Sequence, residues 1–131
     1  MKENSLKKNL ILKNKDDITQ ALRNGTRFEN DSLRIIISKG NGESNFKVAF
    51  LVSKKLGKRA VLRNKIKRWL REIFRYNKNE FPISYHVILT VKQRYDQISY
   101  KSLKEDFMEI ITSEKFNNYT SKIIPKVPGT N

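Results

Sequence analysis

Arg63, Asn64, Lys67, Arg68, Arg71 and Arg75 follow one another at intervals of one, three and four residues, with a single acid, Glu72, among them. At about 100° per residue, that spacing gathers guanidinium, ammonium and amide groups on one side of a helix. A planar guanidinium can bond a phosphate through two parallel N–H donors, and Asn64 offers both a donor and an acceptor to a sugar or base edge. The chemistry is recognition of a polyanion. Like charges three and four residues apart cost a helix roughly 0.2–0.5 kcal/mol per pair, so this face weakens its own helix unless a polyanion neutralises it.

Bond-breaking chemistry has less to work with. A nuclease site made of protein needs a general base, or carboxylates clustered to hold metal. Asp16 and Asp17 stand where a helix start favours negative charge. Glu105, Asp106 and Glu109 share one short helical stretch and read as a solvated face. Glu72 lies four residues after Arg68 and three before Arg75, which is the spacing of local ion pairs. There is one histidine, His86, and no cysteine, which excludes disulfides, thiolate catalysis, cysteine-ligated zinc and a histidine metal cage. No catalytic residue and no metal ligand is assigned.

The elements that carry these residues follow from periodicity. From about Arg59 to Asn77, Leu62, Ile66, Trp69, Leu70 and Ile73 recur at helical spacing opposite the cationic face. Asn14, Asp16 and Asp17 open a shorter first helix containing Ile18 and Leu22, and Asn24-Gly25 suggests a left-handed stop. After an extended piece around Arg27-Phe28, residues 33–39 and 46–53 alternate as strands on either side of a Gly40-Asn41-Gly42 turn, and are expected to pair as a hairpin. Tyr85 to Val91 is another strand of the same sheet. Ser99 caps a third helix that ends near Glu114, and Pro125, Pro128 and Gly129 lie in the polar stretch that follows. The order implies an α+β domain, with helices on a mixed sheet of about four strands. The second and third helices should cover the greasier sheet face. The short first helix should cover only part of the mixed face, which carries Arg34, Ile36, Lys47, Ala49, Leu51, His86, Ile88 and Thr90, and leave a groove beside it.

A chain of 131 residues holds one domain. Residues 1–119 form it, with a core of about 12–114, and 120–131 read as a flexible tail. Twenty-eight Lys and Arg against thirteen Asp and Glu give a net charge of +15, and residues 54–78 hold eleven of those cations against one acid. No stretch approaches the ~18 apolar residues of a membrane span, and the start lacks a secretory segment, so a cytoplasmic protein is expected. A membrane-surface role is disfavoured because Trp69 sits at core spacing. DNA reading is disfavoured because a uniform Arg/Lys face reads phosphate rather than base sequence.

Ser53-Lys54-Lys55-Leu56-Gly57 followed by Arg63-Asn64-Lys65-Ile66-Lys67-Arg68-Trp69-Leu70-Arg71-Glu72-Ile73-Phe74-Arg75 resembles the protein subunit of bacterial ribonuclease P. The similarity covers roughly Leu12 to Glu114. It implies a two-layer α-β-β-β-α-β-α sandwich with a left-handed βαβ crossover, the ribosomal protein S5 domain 2-like fold. It also implies a place in the ribonucleoprotein endonuclease that removes 5′ leaders from precursor transfer RNA. The RNA subunit would carry the chemistry with Mg2+, and the protein alone would bind no cofactor. Lys54, Lys55, Arg63, Asn64, Lys65, Lys67, Arg68, Arg71 and Arg75 would contact the catalytic RNA. A groove bordered by Ile18, Leu22, Arg34, Ile36, Lys47, Leu51 and His86 would hold the single-stranded leader. Lys65 stands where the family has arginine. Ile18 and Leu22 stand where relatives often place aromatics, which shifts the expected leader contacts toward Arg34, Lys47 and the phosphate backbone. A structural, ribosomal-type RNA binder with no processing role is the alternative.

Overall fold

The computed structural model describes residues 7–123. Helix α1 (Lys15–Asn24) begins where the Asn14 side chain accepts a hydrogen bond from the backbone N–H of Asp17 at 3.0 Å, and Asp16 and Asp17 occupy its first turn. It ends at Gly25, whose backbone is extended (φ −73°) rather than left-handed. The glycine is required for space instead. A Cβ there would run into Ile36 Cγ2 and the Ala21 carbonyl oxygen, because the chain leaves α1 pressed against the sheet.

Strands β1 (Thr26–Glu29), β2 (Leu33–Lys39), β3 (Lys47–Leu51) and β4 (Tyr85–Val91) form a mixed sheet in the order β1-β2-β4-β3 among the described residues. β2 is antiparallel to β1 and β4, and β3 runs parallel to β4. The expected hairpin between residues 33–39 and 46–53 does not form. β4 lies between the two strands, with Ile88 opposite Ile36 on one side and beside Ala49 on the other. Alternation reports which face a residue takes, not which strand lies next to it. β4 is buried at five of its seven positions, and its apolar residues on both faces suit the inside of a sheet. The parallel β3–β4 pair needs a crossover, and α2 (Ala60–Tyr76) supplies it.

α2, α3 (Tyr100–Ile111) and α4 (Glu114–Ile123) cover one sheet face. The main core sets Ile66, Leu70 and Phe74 of α2 and Leu103 and Phe107 of α3 against Leu33, Ile35, Ile37, Val87 and Leu89. A smaller core on the opposite face joins Ala21 of α1 to Ile36, Ala49 and Ile88, with Ile18, Leu22 and Leu51 at its margin. Leu12 completes that core. Its N–H donates to the Val48 carbonyl at 2.8 Å, and Ile11 bridges to Val48, so residues 11–12 cover the β3 edge.

The third helix stops at Ile111, not near Glu114. Ser99 and Ser102 form a reciprocal capping box at its start. α4 is absent from the sequence reading. Ser113 Oγ accepts from the Phe116 N–H at 3.2 Å to start it, and Phe116 packs edge-on against Phe28 and Phe81 at 5.2 and 5.7 Å. Of the tail expected over 120–131, residues 120–123 continue α4 and Thr120 is buried. Residues 124–131 lie outside the described residues.

Candidate nucleic-acid interface

α2 buries Ile66, Leu70, Ile73 and Phe74, which fixes its rotation on the sheet. Trp69 is half-buried and meets Tyr100 edge-on at 6.0 Å. Asn64, Lys67, Arg68 and Arg71 are thereby turned outward, all exposed, and together line a shallow hollow of about 240 Å³. Four side chains of the expected motif therefore converge on one concave surface.

The other expected contacts take different positions. Lys65 is exposed but leans to the flank, its Nζ 5.1 Å from the centre of the Trp69 ring. Arg63 is half-buried and donates from Nη1 to the Lys58 carbonyl at 2.5 Å. Arg75 donates to Glu72 at 2.8 Å and lies over the Tyr76 ring at 4.8 Å, so part of its charge is used locally. Lys54 and Lys55 are exposed on the turn Lys54–Leu56, where Ser53 Oγ accepts from the Lys55 N–H at 3.1 Å. A second hollow of about 240 Å³ adjoins the start of α2, lined by Leu56, Gly57, Lys58, Arg59, Leu62, Arg94 and Asp96. Arg94 and Tyr95, which follow β4, escaped the sequence reading because nothing in the local pattern ties them to a turn some forty residues earlier.

On the opposite face α1 packs on β2 and β4. Two of the expected groove residues do not line an open surface. Ile36 and His86 are 1% and 3% exposed, because α1 and the loop of residues 40–46 close over them. His86 Nε2 sits 2.9 Å from Glu43 Oε2. Desolvation raises the Glu43 carboxyl, but hydrogen bonds from His86 and from backbone N–H groups, that of Asn41 among them, outweigh it and bring it down to about 2. Ile18, Leu22, Arg34, Lys47 and Leu51 remain half-buried along this face. Arg34 Nε is 2.9 Å from Glu29 Oε1 and Lys92 Nζ is 3.0 Å from the same oxygen; hydrogen bonds from Lys92 and Arg34 hold that carboxyl below its ordinary range. Lys47 lies beside His86 and Leu51 beside Thr90 in the β3–β4 register.

Asp106 and Glu109 are structural, not a solvated face. Asp106 Oδ2 accepts from Ser32 Oγ, and Glu109 Oε1 accepts from Asn30 Nδ2 at 2.8 Å, so α3 pins the β1–β2 turn. Among the described residues no three His, Asp or Glu side chains are grouped closely enough to hold a metal ion. No helix among the described residues is long and apolar enough to cross a membrane.

A family model described as Ribonuclease P matches residues 6–115. A ribonuclease P protein component of Phytoplasma australiense is 40% identical over 103 residues, which span 78% of this chain and 88% of that protein. One from Syntrophus aciditrophicus is 29% identical over 117 residues, 89% of this chain and 97% of that protein. A solved structure of the Staphylococcus aureus RNase P protein shares the fold, with a TM-score of 0.69 at 23% identity, covering 88% of this chain and 98% of that one.

Proposed function

Because the chain belongs to the ribonuclease P protein family, with ribonuclease P RNA as its partner, we propose that the outer face of α2 binds that RNA while the α1 side of the sheet guides the 5′ leader of precursor transfer RNA. The observation that carries this reading is the convergence of exposed Asn64, Lys67, Arg68 and Arg71 on one hollow, with the helix anchored behind them by Leu70 and Phe74. A row of forked and point cations over a concave surface suits the phosphates of folded RNA. Leader contacts fall to Arg34, Lys47 and Leu51, beside the aliphatic Ile18 and Leu22. Ion pairing with Glu29 holds Arg34 in place along the strand.

Glu29, Glu43, Glu72, Asp106 and Glu109 are engaged in ion pairs and hydrogen-bonded ties, and hydrolysis of the leader phosphodiester is assigned to the RNA subunit and its Mg2+ ions, within the cytoplasm. The protein's part is to bind, orient and neutralise. The test mixes purified protein, precursor transfer RNA and magnesium with and without an in-vitro transcribed bacterial ribonuclease P RNA at near-physiological salt. Cleavage is expected only when the RNA subunit is present, and at lower magnesium when the protein is added. Cleavage by the protein alone overturns the division of labour, and RNA binding without any effect on processing favours a purely structural binder.

A further inference from the structure

We propose that Tyr95 is a positioning residue for the RNA-binding surface, fixing the 53–58 turn on which Lys54 and Lys55 stand; this rests on the reading that the surface binds RNA. Tyr95 is 2% exposed, in the short turn Tyr95–Gln97 that follows β4. Its hydroxyl donates to the Ser53 carbonyl at 2.5 Å, across 42 residues of sequence. A buried phenol needs a hydrogen-bond partner, and taking a turn carbonyl as that partner ties two distant segments together.

The ring holds the middle of the same turn. A Cβ on Gly57 would come within 2.5 Å of Tyr95 Cδ2 and 3.2 Å of Cγ, so the glycine lies flat against the phenol. With φ at 176° its backbone is extended, and space rather than dihedral freedom calls for glycine here. Arg63 Nη1 then holds the far end through the Lys58 carbonyl. Between these ties, Lys55 N–H donates to Ser53 Oγ at 3.1 Å and Gly57 N–H to the Lys54 carbonyl at 3.3 Å. The turn is braced at start, middle and end through its backbone, and the Lys54 and Lys55 side chains it carries are exposed. A turn ordered beforehand loses less freedom when RNA binds.

The test compares Tyr95→Phe in the full chain with the same substitution in a Lys54→Ala/Lys55→Ala background, reading affinity for an in-vitro transcribed bacterial ribonuclease P RNA. Tyr95→Phe keeps the ring and removes one hydrogen bond. It is expected to weaken binding about three- to tenfold in the parent and to change nothing once both lysines are gone. Amide exchange in the free protein should quicken at Lys55 and Gly57 while the β4 amides stay protected. An equal loss in both backgrounds, no loss in the parent, or unchanged exchange overturns the proposal. Arg68→Ala is read alongside. If it weakens binding while Lys54→Ala/Lys55→Ala does not, the proposal fails and the reading of α2 stands; if neither weakens binding, that reading fails as well.

Discussion

The guanidinium of Arg71 lies 5.8 Å from the centre of the Phe50 ring. Phe50 is a core residue of β3, only 7% exposed, so the Arg71 guanidinium reaches the edge of the main core, while the Arg71 side chain also lines the hollow of α2 with Asn64, Lys67 and Arg68. Arg68 belongs to the same hollow, and its side chain is exposed. The two arginines therefore differ in stability but match in the phosphate contacts they can make. Arg71→Ala is expected to lose about 0.5–1 kcal/mol in urea unfolding and Arg68→Ala almost nothing. Each should weaken RNA binding and flatten log affinity against log salt by about one unit per lost phosphate contact. An unchanged salt slope in both removes them from the interface.

Lys47 tests the other surface. It is half-buried at the start of β3, on the face that α1 leaves partly uncovered, beside the buried His86. Lys47→Ala should lower affinity for precursor transfer RNA with a long leader more than affinity for mature transfer RNA, both measured with the assembled ribonucleoprotein. A loss of about three- to tenfold confined to the precursor is expected for one charged contact. Equal losses for the two RNAs would move Lys47 out of the leader path.

The cationic face of α2 was legible because helical periodicity separates an anchored stripe from its opposite side, and Asn14 and Ser99 were legible as caps because capping is local. Features made by distant partners were not. Alternation in residues 33–39 and 46–53 gave the faces correctly but could not show that β4 inserts between the strands. His86 looked like a margin residue because nothing near it in sequence announces Glu43, 43 residues away, as the carboxylate that closes over it. α4 is masked by its polar Asn117-Asn118 pair, although Ser113 as cap and Phe116, Tyr119 and Thr120 at helical spacing are local signals of a helix.

Glu43 gives a pH-dependent prediction with a definite sign. Its carboxyl is brought down to about 2 in the folded protein, against about 4.3 for an unhindered glutamate. A lowered value means that the ionised form stabilises the fold. That stabilisation is complete above about pH 4.5 and is lost as pH falls toward 2. Glu43→Gln should therefore be less stable than the parent at pH 6, by about 1–2 kcal/mol, with the gap closing as the solution is acidified through that window. Urea unfolding at pH 6, 4 and 3 measures it. A gap that stays constant across those values would show that the Glu43 charge contributes nothing to the tie with His86.

Gly25 supplies the last prediction, because two explanations for a glycine after a helix give different results. At a left-handed cap, alanine would be penalised for its backbone angle. Here φ is −73°, an angle alanine adopts readily, and by itself Gly→Ala at such a position would stabilise by about 0.4–1 kcal/mol through the unfolded chain. The added Cβ, however, would overlap Ile36 Cγ2 and the Ala21 carbonyl oxygen, one a branched core side chain and the other helix backbone, and neither can swing aside. Overpacking of this kind costs about 1–3 kcal/mol, so the steric effect wins. Gly25→Ala should destabilise the domain and push the end of α1 off Ile36, loosening the small core formed with Ala21, Ala49 and Ile88. Urea unfolding together with amide exchange in α1 reads both effects. A variant as stable as the parent would mean that α1 sits further from the sheet than this geometry requires.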